Sequence, residues 1–252
     1  LVELMRRLLA EDGCPWDREQ TPESLRPYVV EEAFEVVDAI DRNNPAALRE
    51  ELGDLLFQVV FLSELMSRSE GFDIDDVIAA VSAKMERRHP WVFGQAEVQD
   101  AAGALEGWEA IKAQERGQRG ALGGVPVALP PLLRAMRVGE KAASVGYDWP
   151  DASGAREKVG EELRELDQAI EADDGAGAER ELGDVLFALA SFARKRGMDP
   201  SAALRGTLDR FTARFEHAEH AALARGTTLR ELDASALDAL WEEAKRALAQ
   251  QG

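Results

Sequence analysis

The motif Glu31-Glu32-x-x-Glu35 recurs as Glu161-Glu162-x-x-Glu165, an offset of 161 − 31 = 130 residues. "EELGDLLF" (Glu50 to Phe57) recurs as "RELGDVLF" (Arg180 to Phe187), and 181 − 51 is again 130. Further on, "WEAIK" (Trp108 to Lys112) returns as "WEEAK" (Trp241 to Lys245). Ahead of the acidic motifs, "GCPWD" (Gly13 to Asp17) loosely matches "GYDWP" (Gly146 to Pro150). Ordered self-similarity of this kind is a duplication, so each half must carry its own fold. Between the halves lies "RGQRGALGGVPVALPP", Arg116 to Pro131, whose glycines and prolines cannot sustain a helix. The expected division is a first domain over 1–119, a linker over 120–131 and a second domain over 132–252.

The periodicity within each half is helical. Helix formers dominate, aromatic residues make up only 6% and β-branched runs are short, so the expected class is all-α, a tandem pair of helical bundles. Expected helices run near 1–11, 23–42, 45–69, 73–87 and 104–115, then near 130–144, 152–172, 176–196, 200–224 and 234–249. Pro22, Pro45 and Pro200 sit where helix starts are expected. "NNP" (Asn43 to Pro45) and "DDGAG" (Asp173 to Gly177) are short enough to make each acid-bearing pair an antiparallel hairpin.

A helical wheel shows how acid and apolar residues share these helices. With Glu31 at 0° and about 100° per residue, Val29, Ala33, Val36, Val37 and Ile40 fall between roughly 140° and 240°, with Glu32 at the margin near 100°. Val159, Leu163, Leu166 and Ile170 repeat that stripe. On the following helix, Glu51 lies on the lip of a stripe of Leu48, Leu52, Leu55, Leu56, Val59 and Leu62. Glu181 lies likewise beside Leu182, Val185, Leu186, Leu189 and Phe192. Spacing of i, i+3 makes neighbours of Glu32 and Glu35, and of Glu51 and Asp54. Hairpins packed through their apolar stripes would gather four carboxylates at one groove. Such a group needs compensation, and a hard divalent cation with oxygen ligands, most simply Mg²⁺, is the natural candidate. Gly53 and Gly183, inside helices, suggest a close helix approach.

Charge removes several classes of function. Forty-eight acidic against 30 basic residues give a net charge of −18, which disfavours nucleic acid and an anionic membrane surface as partners. No apolar run approaches the roughly 20 residues of a membrane span. The single cysteine, Cys14, agrees with a reducing compartment, and no signal peptide is visible although the chain begins at Leu1 without Met. The expected location is cytoplasmic.

With EExxE followed by ExxD, the chain resembles the MazG family of nucleoside triphosphate pyrophosphohydrolases, as two tandem domains. "CPWD", "EELGDLLFQVVF" and "KMERRHPWVF" carry the resemblance in the first half. In the second it rests on "KVGEELRELDQA", "ELGDVLF", "RFTARFEHAE" and "WEEAK". It implies a dimeric all-α enzyme that cuts NTPs or dNTPs between the α and β phosphates, with Mg²⁺ (or Mn²⁺) required, in nucleotide-pool house-cleaning. The implied metal ligands are Glu162, Glu165, Glu181 and Asp184, with Glu32, Glu35, Glu51 and Asp54 as the duplicate set. Glu161 and Glu31 could orient the attacking water, and Glu162 would share in catalysis. Cations expected to reach the polyphosphate are Lys158, Arg180, Arg210, Arg214 and Lys245, and the Trp241 indole could stack on a base.

The halves differ. Where the second has Lys158 the first has Tyr28, and "RFTAR" (Arg210 to Arg214) stands against "KMERR" (Lys84 to Arg88). Thr212 and Ala213 replace charged residues that the family often has there. In this family the C-terminal copy can be the active one, which favours the second half as catalytic. Competing readings are another all-α pyrophosphohydrolase, of the dUTPase or phosphoribosyl-ATP type, or a non-catalytic acidic scaffold. A ferritin-like centre needs Glu-x-x-His on two helices, and only Glu86 to His89 offers it. His217 and His220 lack further zinc ligands nearby.

Overall fold

The structure is a computed structural model, and it describes residues 1–69, 71–116 and 120–249. Residue 70, residues 117–119 at the end of the expected first domain, and residues 250–252 lie outside the described residues. The chain divides into two compact units, Leu1–Lys112 and Ala113–Gly252, with the division inside a helix upstream of the glycine- and proline-rich stretch. Among the described residues there is no strand. No helix among them is long and apolar enough to cross a membrane.

Unit 1 contains α1 (Val2–Leu8), α2 (Pro15–Arg18), α3 (Arg26–Asp41), α4 (Pro45–Arg68), α5 (Ile74–Arg88), α6 (Pro90–Phe93) and most of α7 (Ala101–Arg116). Unit 2 contains α8 (Pro131–Ala143), α9 (Ala152–Glu171), α10 (Gly175–Lys195), α11 (Pro200–Ala224) and α12 (Ala234–Ala249). The ten expected helices are all present. The single turns α2 and α6 and a 3₁₀ turn at Leu229–Glu231 are additional. They are too short to carry a periodicity, which is why the sequence reads as loop there. Helix α7 starts three residues earlier than expected because the Asp100 carboxylate accepts the Gly103 N–H at 2.8 Å and caps it.

The α3–α4 and α9–α10 hairpins are the principal packings of their units. Each turns on one left-handed residue, Asn43 (φ 49°) or Asp173 (φ 55°), residue types that tolerate this conformation. The same two backbone bonds close both turns. Asn44 N–H donates to Ala39 and Asn43 N–H to Ile40; Asp174 N–H donates to Ala169 and Asp173 N–H to Ile170. Asn44 and Asp174 then cap the next helix, Asn44 Oδ1 accepting from Ala46 and Ala47 at 3.2 Å and Asp174 from Gly177 at 2.9 Å.

The faces that pack overlap those the wheel selects, with Val29, Val36, Val37, Val159 and Leu166 buried or half-buried as expected, but they are rotated from them. The buried direction of α3 runs through Leu25, Val29, Glu32, Val36 and Ala39, rotated toward Glu32, while Ala33 is exposed and Ile40 is 56% exposed. On α4 the inward line is Leu48, Glu51, Leu55, Gln58 and Leu62, and Leu52, Leu56 and Val59 face outward. Unit 2 does the same, with Val159, Glu162 and Val185 inside and Leu163, Ile170, Leu182, Leu186 and Leu189 outside. The inner acids Glu32, Glu51, Glu162 and Glu181 therefore turn into the hairpin seam, Glu35, Asp54, Glu165 and Asp184 stay exposed beside it, and a second apolar face remains outside it. The expected close approach at Gly53 and Gly183 is not found: a Cβ at either meets nothing within 4 Å.

Candidate active site

Four carboxylates were expected to converge in each hairpin, and three do so tightly. One oxygen from each of Glu32, Glu35 and Glu51 lies within 4.8 Å of the others, and the same holds for Glu162, Glu165 and Glu181. These are the only such groups among the described residues; His217, His220 and the Glu86–His89 pair enter none. The fourth acids sit alongside. Asp54 acts electrostatically on Glu32 and Glu51, and Asp184 on Glu181. Glu31 and Glu161 are exposed or half-exposed neighbours of their trios.

The electrostatics follow from this crowding. Burial, then the charges of Glu35 and Asp54, pushes the Glu32 carboxyl above its ordinary range. Burial, then Glu35, Glu50 and Asp54, raises Glu51. Burial, then Glu165, Asp184 and Glu162, raises Glu181. Clustered, partly buried carboxylate oxygens that repel one another are the donor set of a hard divalent cation, so the residues fit that group.

The two units compensate their innermost acid differently. Glu162 is only 4% exposed, and the Lys158 ammonium contacts its Oε1 while donating to Glu161 Oε1 at 3.0 Å. Those bonds, Glu162 first, hold the Lys158 ammonium well above its usual range. In unit 1 Tyr28 packs edge-on against Trp16, ring centres 6.1 Å apart, and it is the buried Gln58 that hydrogen-bonds Glu32. Gln58 Oε1 itself finds no partner.

A cleft of about 540 Å³ adjoins the unit 2 cluster. Its walls include Lys158, Glu162 and Asp184, the small residues Gly139, Ala142, Ala188 and Ser191, and Tyr147, Trp149 and Arg194. The duplication explains why it is open. At the 130-residue offset Ala188 stands where unit 1 has Gln58, and Ser191 where unit 1 has Phe61. At the 146 − 13 = 133 offset of the GYDWP match, Ala142 stands for Leu9. In unit 1 Phe61 is 1% exposed and joins Met5, Leu9, Leu25 and Val60 in a closed core. The large side chains that fill unit 1 are small in unit 2, and the space becomes a cleft beside the acids.

One cleft wall is held by an ion-pair triad that the sequence did not suggest. Asp148 accepts from both terminal nitrogens of Arg194, one at 3.1 Å, and from Lys195 at 2.9 Å. The Arg194 hydrogen bond is the main reason the Asp148 carboxyl is held down at about 2. Arg194 Nε is buried without a partner, lying over Gly139, where a Cβ would come within 2.9 Å. The available signal was the departure of "GYDWP" from "GCPWD", which places an acid where unit 1 has Pro15. The remaining expected substrate residues lie apart from the cleft walls. Arg214 stacks over Trp241 at 6.0 Å, Phe211 packs on the same indole at 5.1 Å and Lys245 pairs with Glu242 at 2.5 Å, all on α11 and α12. Arg210 is exposed on α11, and Arg180 reaches Asp174 at 3.9 Å.

A family model described as the MazG nucleotide pyrophosphohydrolase domain matches the chain twice, at residues 20–93 and 153–218. The chain is similar to the nucleoside triphosphate pyrophosphohydrolase/pyrophosphatase MazG of Thermotoga maritima, 42% identical over 97% of this chain and 94% of that protein. It is similar to the nucleoside triphosphate pyrophosphohydrolase of Escherichia coli K12, 41% identical over 98% of this chain and 96% of the other. It also matches the uncharacterized protein YabN of Bacillus subtilis, 41% identical over 96% of this chain but half of that longer protein.

Proposed function

The chain belongs to the MazG nucleotide pyrophosphohydrolase family, once in each half, and from that premise we propose that its C-terminal unit hydrolyses nucleoside triphosphates between the α and β phosphates. The products are a nucleoside monophosphate and pyrophosphate. The observation that carries the assignment to unit 2 is the cleft adjoining its acid cluster, whose small walls Ser191, Ala142 and Ala188 stand where unit 1 has the larger buried Phe61, Leu9 and Gln58.

Glu162, Glu165 and Glu181, with Asp184 beside them, would hold Mg²⁺ or Mn²⁺. Bound there, the cation supplies neutralisation of the polyphosphate charge and acidifies the attacking water. The protein residues do the rest. Lys158 extends from the cluster into the cleft wall and can meet a phosphate oxygen. Glu161, held by Lys158, would accept a proton from the attacking water. Trp149 and Tyr147 offer aromatic surface to the nucleoside, and the small residues Gly139, Ala142 and Ala188 leave room for it. The outward apolar faces carrying Ile40, Leu52 and Leu56, and Leu163, Ile170 and Leu186, support a homodimer that covers them. In such a dimer Arg210, Arg214, Trp241 and Lys245 would serve the site from the α11–α12 pair.

The test is pyrophosphate release from a panel of NTPs and dNTPs, with Mg²⁺ and with chelator, by the wild type and by Glu162→Gln and Glu32→Gln. Turnover dependent on the cation, abolished by Glu162→Gln and retained by Glu32→Gln, is expected. Loss in Glu32→Gln alone would move the active site to unit 1. Unchanged turnover in both, and in the double variant, would remove the acid clusters from the chemistry.

A further inference from the structure

Glu162 poses a problem that the rest of the cluster does not. It is the most buried of the six clustered acids, and a buried carboxylate needs a charge partner or a proton. That partner is covalently supplied one helical turn earlier: Lys158 Nζ lies on Glu162 Oε1 and 3.0 Å from Glu161 Oε1. The Glu162 oxygen in the cluster is also within 4.8 Å of oxygens of Glu165 and Glu181. A divalent cation bound by these acids at the usual ~2.1 Å would sit within a few ångströms of the ammonium, and like charges at that range repel.

The lysine is not needed for the hairpin to form. Unit 1 builds the same hairpin, with the same acid spacing, on Tyr28, which turns to Trp16 instead. Lys158 also lines the cleft beside Asp184, so its ammonium has somewhere to go when it leaves Glu162. We infer that Lys158 is a resident counter-ion of Glu162 that a divalent cation must displace, and that the displaced ammonium is then presented to the polyphosphate. Cation loading and substrate anchoring are thereby coupled through one side chain. Lys158 acts on the cation site as a positioning residue, through Glu162, and this rests on the reading of Glu162, Glu165 and Glu181 as cation ligands.

The test uses the chelator-stripped full chain carrying Glu35→Gln to silence unit 1, titrated calorimetrically with Mn²⁺ in the absence of nucleotide. Adding Lys158→Met is expected to tighten Mn²⁺ binding about tenfold, ~1.4 kcal/mol. Equal or weaker binding than with Lys158 present overturns the inference. A second measurement leaves the lysine in place. In the wild type, acylation of Lys158 by an amine-reactive reagent, followed by mass spectrometry, is expected to accelerate several-fold on saturation with Mg²⁺ alone. An unchanged rate would overturn the displacement. The two readings fail separately. If neither protein binds Mn²⁺ and the wild type releases no pyrophosphate, the functional reading falls; if Mn²⁺ binds both alike, only the role of Lys158 does.

Discussion

Returning the unit 1 residue to unit 2, as Ser191→Phe, tests whether the cleft is the substrate site. Ser191 is buried on α10 and faces the cleft, and its unit 1 counterpart Phe61 is 1% exposed in a closed core. A phenylalanine at 191 has about 540 Å³ to enter, so it displaces solvent rather than protein. Burying that ring contributes about 2 kcal/mol relative to leaving it in water, so the variant should be as stable as the wild type or more so. The same ring occupies space that the nucleoside requires. Loss of productive binding should lower kcat/KM by at least ~100-fold, or ~2.7 kcal/mol of transition-state stabilisation. Ser191→Ala, which leaves the cleft open, should retain turnover. The assay pairs thermal melting with pyrophosphate release. Wild-type turnover in Ser191→Phe, with an unchanged or raised melting temperature, would show that the cleft does not hold substrate. A collapse in stability would show instead that the side chain is driven into the α8–α10 packing and that the comparison with Phe61 is wrong.

The raised carboxyls give a pH signature. Folding raises Glu32, Glu51 and Glu181 above their ordinary value of 4.5, so the folded chain binds their protons more readily than the unfolded one. In chelator, these groups should therefore favour the folded state more as pH falls through the raised values toward 4.5, and that contribution should be lost as pH rises through them. Mg²⁺ should flatten the trend, and a urea midpoint higher at neutral than at mildly acidic pH, in chelator, would refute it. Asp148 has the opposite sign. Its carboxyl drops from 3.8 to about 2, and its side chain is 18% exposed, so the ionised form contributes up to about 2 kcal/mol that is present above pH 3.8 and lost as pH falls toward 2. Asp148→Asn should cost about that much in a neutral-pH urea melt, and no loss would refute the triad's role.

The hairpins, their turns and the acid spacing were legible because each is a local property. Asn43 and Asp173 announce their turns, and i, i+3 carboxylates are neighbours on any helix. The wheel put Val29, Val36, Leu55 and Val159 on the packed side correctly but added Ile40, Leu52 and Leu186, which are as apolar as the residues that are buried. A helix with two apolar faces has no single stripe, and only the turn geometry decides which face closes the hairpin. The cleft was hidden for a different reason. Its walls depend on where the halves differ, Phe61 against Ser191 and Gln58 against Ala188, while the repeat was found from where they agree. Asp148 and Arg194 meet across 46 residues, a distance that no local pattern bridges.

The hairpin turns also set an order of events. Helices α9 and α10 are joined by three residues and pack mainly on each other, so their contacts are close in sequence and among the first a collapsing chain can make. Glu162, Glu165 and Glu181 come from the two sides of that hairpin, so early hairpin formation should meet their mutual repulsion in the folding transition state and slow refolding. Stopped-flow refolding of the chelated protein should accelerate when Mg²⁺ is added, with unfolding less affected; equal refolding rates would place the hairpin later. On this order the acid cluster is assembled first and the cleft walls, which need α8, close around it afterwards.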